Sequence, residues 1–277
     1  MKNVLISMAV SSAFIAGSVL AATPSAKFAA TYTNDPMLSV SAMVTCDGTP
    51  GEVCQADANA NGHTLATIKV PQDKELLVGV SAEIGLTTFG AVKGKNGGSA
   101  TAIADAEALV SIHACPVVGG DCVSAEPGGV KLSKRVQELS AKLGGVIKEC
   151  DIAVDMETGE GTFDVSDDCV VNDEEIALLL STTASHHFNF VLPDMDQGVY
   201  EIKAMFTTAA SAEVVLCDYT NSLGYTTQDC DADGTVAATA EAASVINKTM
   251  LTVQTVRAAK GGIIRSEERF SRNAETE

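Results

Sequence analysis

One short acidic segment has residues whose types and spacing could bind a metal ion. The run "DCDADG", residues 229–234, has aspartates at alternate positions before a glycine. A calcium loop of the EF-hand type takes oxygen ligands at positions one, three and five, glycine at six and a bidentate glutamate at twelve. Position twelve is Ala240, one residue before a glutamate. The calcium ligands would be Asp229, Asp231, Asp233 and Glu241. The alternative is an ion-free acidic turn with side-chain to backbone hydrogen bonds.

No catalytic motif accompanies these acids. The sequence has no Gly-x-Ser-x-Gly elbow, no His-Glu-x-x-His pair and no complete phosphate-binding loop. His186 and His187 are adjacent on a predicted strand, so their side chains point to opposite faces and cannot easily bind one metal ion. Carboxylates are plentiful, but without a spacing signal they do not nominate an acid–base pair. We therefore expect a noncatalytic protein with no cofactor, and calcium is the alternative.

Eight cysteines fall into four consecutive pairs, each enclosing a short segment. The expected disulfides are Cys46 with Cys54, Cys115 with Cys122, Cys150 with Cys169, and Cys217 with Cys230. An even count in an exported chain is typical of disulfides, and each short loop closed contributes roughly 2–3 kcal/mol in the chain-entropy estimate. Zinc is the alternative, but no pair has the Cys-x-x-Cys spacing of strong zinc motifs.

Neither end of the chain is expected to belong to the folded domain. Residues 1–21 have Lys2, an apolar run from Val4 and small residues at the end, which predict a cleaved signal peptide. A membrane anchor is the alternative, although serines and glycines dilute the apolar run. The last residues, 265–277, are similar to the conceptual translation of a sequencing adapter, so they are interpreted as an artefactual tail. Residues 22–264 are then expected to be a single domain.

The charge of the chain limits its partners. The formal net charge is −18 at pH 7, and residues 149–175 carry many acids without Lys or Arg between them. Nucleic acids and anionic membrane surfaces would be repelled. The acidic segment is interpreted as a solvated loop, with capture of a divalent cation as the alternative. We expect an unknown protein or glycan as partner, and no membrane insertion after signal cleavage.

Hydrophobic residues alternate with polar ones along most of the chain. In "ELLVGVSAEIGL" one face has Leu76, Val78, Val80 and Ile84, and the other has serine, glycine and glutamate. Such a period of two is typical of half-buried strands. Several such strands separated by turn residues predict an all-β fold, mainly an antiparallel β-sandwich or a jelly-roll-like arrangement.

Local signals also predict one short helix, near residues 172–182. Asn172 and Glu175 form a capping box, and Ile176, Leu179 and Leu180 would share one helix face. The segment from Leu132 to Leu143 has helical spacing as well, but a strand is not excluded there.

Three segments resemble exported proteins of unassigned function from Gram-negative bacteria: "KELLVGVSAEIGL", "EEIALLLSTTASHHFNFVLPDMDQGVYEIK" and "MLTVQTVRA". The resemblance implies a bacterial source and a periplasmic, cell-surface or extracellular location, and it brings no active site. One hypothesis is a noncatalytic β-sandwich acting in binding or assembly. The other is a calcium-dependent carbohydrate-binding module or a hydrolase that uses loop carboxylates. A pocket with converging carboxylates would favour the second, and a long strand edge or apolar patch the first.

Overall fold

The computed structural model describes residues 27–34, 38–47, 51–71, 74–150, 153–154, 161–162, 169–220, 226–228 and 234–256. The predicted signal peptide and the predicted artefactual tail lie outside these ranges. The described residues form sixteen strands and contain no helix long and apolar enough to span a membrane. The strands are β1 (Phe28–Thr33), β2 (Leu38–Asp47), β3 (Val53–Val70), β4 (Lys74–Lys95), β5 (Gly98–Pro116), β6 (Val123–Ser124), β7 (Val130–Leu143), β8 (Val146–Cys150), β9 (Ala153–Val154), β10 (Gly161–Thr162), β11 (Cys169–Asn172), β12 (Glu174–Met195), β13 (Gly198–Leu216), β14 (Asp218–Thr220), β15 (Thr226–Gln228) and β16 (Thr235–Val256).

Two antiparallel sheets pack against each other. Sheet A has the order β16, β4, β12, with β1 and β2 sharing the other side of β16. Sheet B has the order β3, β13, β5, with β6 and β7 sharing the other side of β5. Strands β16 and β4 pack on β13, β5 and β7. The expected all-β sandwich is therefore confirmed.

Alternation of side chains places one hydrophobic cluster between the two sheets. Along β4 the even-numbered residues from Leu76 to Val92 face inward, and most are almost completely buried. Strand β13 repeats the pattern from Tyr200 to Leu216. Because neighbouring strands are in register, the buried faces form one continuous apolar layer on each sheet, and removing these layers from water is the main stabilising term.

Alanines occupy much of the inner face of β5. The side chains of Ala100, Ala102, Ala104, Ala106 and Ala108 are at most 1% exposed. Larger side chains, such as Phe190 and Phe206, fill other parts of the core. Since interiors are packed to a constant density, methyl groups along one strand require the opposite sheet to lie close there. The low aromatic content of the sequence is thus compatible with a filled core.

The short helix predicted near residues 172–182 is wrong. Asn172 ends β11, and β12 starts at Glu174 and pairs with β4 from Gly94 to Leu76 without interruption. A capping box stabilises one helix end by only about 1 kcal/mol, whereas pairing along β4 satisfies backbone groups over the whole segment. The ambiguous segment 132–143 is also a strand, within β7.

Three disulfides join consecutive cysteines: Cys46 to Cys54, Cys115 to Cys122, and Cys150 to Cys169. Cys217 is also disulfide-bonded, and its expected partner, Cys230, lies outside the described residues. The Cys46–Cys54 bond connects β2 of sheet A to β3 of sheet B. Such bonds persist in oxidising compartments, which agrees with export.

Two adjacent residues of β13 test the assignment of side chains to the inner and outer faces of the strand. We expect Ala210→Leu to lower the free energy of unfolding by about 1–3 kcal/mol, because Ala210 is 2% exposed and added methylenes overpack a filled core. Ala209→Leu adds the same atoms to the outer face of the same strand and should change stability by about 0.5 kcal/mol or less. Urea denaturation of both variants measures the difference. Equal losses would contradict the assigned register.

Candidate functional site

The predicted calcium ligands do not appear together in the described part of the chain. Asp229, Asp231 and Asp233 lie outside the described residues. Glu241 lies within β16, opposite Met43 and Phe89 of the neighbouring strands. Because β16 is extended from Thr235 onward, Glu241 is about 23 Å along the strand from Gly234, at roughly 3.3 Å per residue. The choice between a calcium loop and an ion-free turn therefore depends on residues outside the described ranges.

One group of metal-ligating residue types lies close together among the described residues. One ligand atom from each of Cys46, Glu52 and Cys54 falls within 4.8 Å of the others. The two sulfur atoms are joined in a disulfide, so neither is a thiolate that could bind a metal ion. This group therefore belongs to the link between the sheets.

His186 and His187 point to opposite faces, as their positions on a strand require. His187 is exposed on the outer face of sheet A, where Nδ1 lies 2.9 Å from Oγ of Ser81 and Nε2 lies 3.1 Å from Oδ1 of Asn189. Ser81, His187 and Asn189 thus follow the order of a nucleophile, a general base and a side chain that orients the base. This row of side chains lies on an exposed sheet surface, away from a hollow lined by Ala91 and Glu175 and from another lined by Gln197 and Tyr200.

A row of exposed apolar side chains on β12 is the most distinctive surface of the described chain. Ile176, Leu178 and Leu180, here called the β12 stripe, are 43%, 41% and 42% exposed. Like the buried Phe190 and Leu192, they are even-numbered residues of β12, and alternate residues of a strand share a face, so they face the core side of sheet A. Their neighbours on β4 are Val92, Gly90 and Thr88. Val92 and Thr88 are fully buried, so the cover provided by sheet B ends between β4 and β12.

One side of the β12 backbone is almost unpaired among the described residues. Val191 exchanges two hydrogen bonds with Glu126, at 2.9 and 3.0 Å, on the side away from β4. Because backbone groups alternate in direction along a strand, the odd-numbered residues from Glu175 to Asn189 point the same way. We call this side the β12 edge. Within the described ranges, Glu126 is the one residue whose backbone pairs with β12 on that side.

The β12 edge lacks the features that usually protect an outer strand. From Ile176 to Ser185 it has no charged residue and no proline, and its register with β4 has no bulge. The outer strand β7 of sheet B carries Lys131, Lys134 and Arg135 and has a register shift. On the opposite side of the sandwich, β2 is bonded to β3 by a disulfide. Long uncharged edges are templates for pairing with another strand.

Two polar side chains of β7 hold β12 beside the sandwich. Gln137 is 5% exposed, its Nε2 donates to the carbonyl oxygen of Leu178 at 2.7 Å, and its Oε1 accepts from Oγ1 of Thr88 at 2.7 Å. Arg135 donates to Oγ1 of Thr182 at 2.8 Å and to the carbonyl oxygen of Leu86 at 3.4 Å. These contacts fix the position of the β12 stripe without covering it.

Ion pairs on the outer face of sheet B attach β7 to β5. Lys131 donates to Glu107 at 2.8 Å, and Lys134 lies 2.7 Å from Asp105 and 3.6 Å from Glu107. The hydrogen bond from Lys131 holds the pKa of Glu107 below its ordinary value, and the hydrogen bond to Asp105 raises the pKa of Lys134. Both shifts favour the charged forms, so this row of charges is a structural contact of β7.

A two-stranded ribbon adjoins the start of β12. Strands β8 and β11 pair from Asn172 to Cys169, where the Cys150–Cys169 disulfide lies. Val146, Ile147 and Val170 on this ribbon are more than half exposed. The Nζ of Lys95 donates to the carbonyl oxygen of Val171 at 3.4 Å, attaching the ribbon to the end of β4. Exposed apolar surface therefore continues past the first residue of β12.

No protein-family model matches the chain, and no curated protein sequence matches it significantly. The function therefore has to be inferred from the geometry of the chain itself.

Sequence reasoning missed the β12 stripe because it interpreted this segment as a helix with Ile176, Leu179 and Leu180 on one face. The signal that could have indicated an edge is the uncharged run "IALLLSTTAS", which has too many apolar residues in succession for a half-buried strand. Exposure itself depends on where sheet B ends, and that is a property of the assembled sandwich.

For the loop at residues 229–234 we expect no calcium dependence of stability, since position twelve has no carboxylate. The thermal midpoint of the oxidised protein should be equal in millimolar calcium and in EDTA. A rise in calcium that Asp231→Ala and Asp233→Ala abolish would instead establish a metal loop.

We expect Gln137→Ala to lower the free energy of unfolding by about 1–3 kcal/mol, because Oγ1 of buried Thr88 loses its partner. Amide exchange around Leu178 should accelerate as β12 loosens. Gln55→Ala is the matched control: Gln55 donates to Glu213 at an exposed site, and its loss should change stability by about 0.5 kcal/mol or less. An equal effect of the two variants would show that Gln137 does not fix β12.

Proposed function

We propose that this chain is an exported, noncatalytic β-sandwich protein whose role is assembly through the β12 edge. The observation that carries the proposal is the combination of an exposed apolar stripe with a row of backbone donors and acceptors that no described residue pairs, both on one long strand. A strand added at the β12 edge would pair those backbone groups and cover the apolar side chains together. Backbone pairing alone or apolar contact alone would bind a partner weakly, and the two together favour association.

Export is part of the proposal because disulfides persist in oxidising compartments. The disulfides, the predicted signal peptide and the resemblance to exported bacterial proteins all agree with a periplasmic, cell-surface or extracellular location. The alternative of a calcium-dependent carbohydrate-binding module or a hydrolase depends on residues 229–233, which lie outside the described residues. No contact among the described residues favours it over assembly.

The test is sedimentation velocity of the oxidised protein over a range of concentrations. We expect reversible association that Leu178→Lys with Leu180→Lys weakens by about tenfold. Each leucine is about two-fifths exposed, so covering both is worth about 1.2–2.5 kcal/mol at about 1.5–3 kcal/mol for a fully buried leucine, and tenfold corresponds to about 1.4 kcal/mol. Both side chains are already exposed in the single chain, so its stability should change little.

The matched control is Val117→Lys with Val118→Lys, which adds the same two charges at valines that are 56% and 91% exposed and remote in sequence from β12. It should leave the association constant unchanged. Association that is insensitive to the two β12 substitutions, or a protein that stays monomeric at all concentrations with and without them, would contradict assembly through β12.

A further inference from the structure

We propose that the strand added at the β12 edge is β12 of a second copy of this chain, antiparallel to the first and related to it by a two-fold axis at Ser181. This inference rests on the proposed function, because it names the partner and the register at the same edge. The distribution of charge along β12, the free length of the edge and the direction of its backbone groups all lead to it.

The charge along β12 favours a second copy in the antiparallel direction. Glu174 and Glu175 lie at one end of the free segment and His186 and His187 at the other, with no charged residue between them. Two copies that each carry a formal net charge of −18 repel each other at long range, so a contact between them has to avoid placing acid opposite acid. Antiparallel pairing of β12 with itself places each acidic end beside a histidine end, so the contact itself avoids acid opposite acid.

The free length of the edge sets the axis. Pairing can begin at Glu174, where β12 starts, and must end short of Phe190, because Glu126 is bonded to the adjoining Val191. A symmetric pairing that fills this segment runs from Glu174 to Phe188 and is centred on Ser181. An axis at Leu180 would leave the residues after His186 unpaired, and an axis at Thr182 would bring the partner strand level with Phe190, beside Glu126.

The direction of the backbone groups agrees with this axis. Odd-numbered residues carry the outward hydrogen-bonding groups, so an antiparallel partner must place odd residues opposite odd residues. About Ser181, Glu175 is opposite His187 and Leu179 is opposite Thr183. On the core side, the β12 stripe lies beside His186, Ala184 and Thr182 of the partner copy. The small side chains of Ala184 and Thr182 in the partner copy leave room for Leu178 and Leu180.

Two-fold pairing of β12 also limits the assembly to two copies. Both copies contribute the same strand, so neither retains a free β12 edge after association. At the other side of sheet A, β1 is only six residues long and β2 is bonded to β3 through Cys46 and Cys54. The expected product is a dimer with one continuous sheet A across both copies.

Two spin-label positions measure the axis. Ala177 and Ser185 are exposed residues of equal parity, and the described chain has no free cysteine to compete for the label. In the oxidised protein, Ala177→Cys and Ser185→Cys should give equal inter-copy distances by pulsed electron paramagnetic resonance, near 27 Å at about 3.4 Å per residue. An axis at Leu180 would give unequal distances, about 20 Å and 34 Å.

A charge-reversal pair tests the register without labels. His187→Glu places a second carboxylate opposite Glu175 of the partner and should weaken association about tenfold. Adding Glu175→Gln should restore it, whereas a loss caused by the hydrogen bonds of His187 to Ser81 and Asn189 would not be restored.

The outcomes separate this inference from the proposed function. Association that the lysine substitutions at Leu178 and Leu180 weaken, but with unequal label distances or a series of species larger than a dimer, overturns the two-fold pairing and leaves assembly through β12 standing. A monomer at all concentrations overturns both. Equal distances that disappear in the lysine variant, with rescue by Glu175→Gln, support both.

Discussion

The register between long neighbouring strands is the constraint on which the rest of this structure depends. Strand β4 pairs with β16 on one side and with β12 on the other, and its even-numbered side chains from Leu76 to Val92 face the core. A slip of one residue would turn every side chain of a strand to the other face, so hydrophobic burial over some twenty residues fixes all three strands together. The pairing of β12 with β4 determines which side chains of β12 face the core side of sheet A. The β12 stripe therefore faces the core side even where sheet B no longer covers it, and its exposure follows from the register of the whole sheet.

The composition of the core explains how so few aromatic residues suffice. Alanines on the inner face of β5 allow sheet A to lie close, and glycine has a similar role at position 90 of β4, where an added Cβ would lie 3.4 Å from Cβ of Leu139. The polar contacts of Gln137 and Arg135 then attach β12 to the margin of this tightly packed region. A buried amide with both of its polar atoms bonded fixes position more sharply than another apolar contact, because hydrogen bonds are directional.

Much of the fold could be predicted from the sequence, because a period of two is visible in the residues themselves. The strand around Leu76 and Ile84 and the antiparallel sandwich were predicted in this way, and the consecutive cysteines suggested the loops that they close. The helix near residues 172–182 was wrong because a capping box is a local signal, while the pairing of Glu174 with Gly94 joins residues far apart in the chain. The candidate site could not be predicted for a related reason. Exposure of Leu178 depends on the position of β7, and no property of the leucine or its neighbours in sequence contains that position.

The order of the cysteines has a consequence for how the protein matures. The three described disulfides each join a cysteine to the next cysteine along the chain. In a chain that leaves a membrane channel with its amino end first, both members of a pair emerge before either member of the following pair. Oxidation in order of emergence then forms the native bonds directly, and no wrong bond has to be exchanged by thiolate attack. For the export proposed above, these three bonds would then form without the help of a disulfide isomerase.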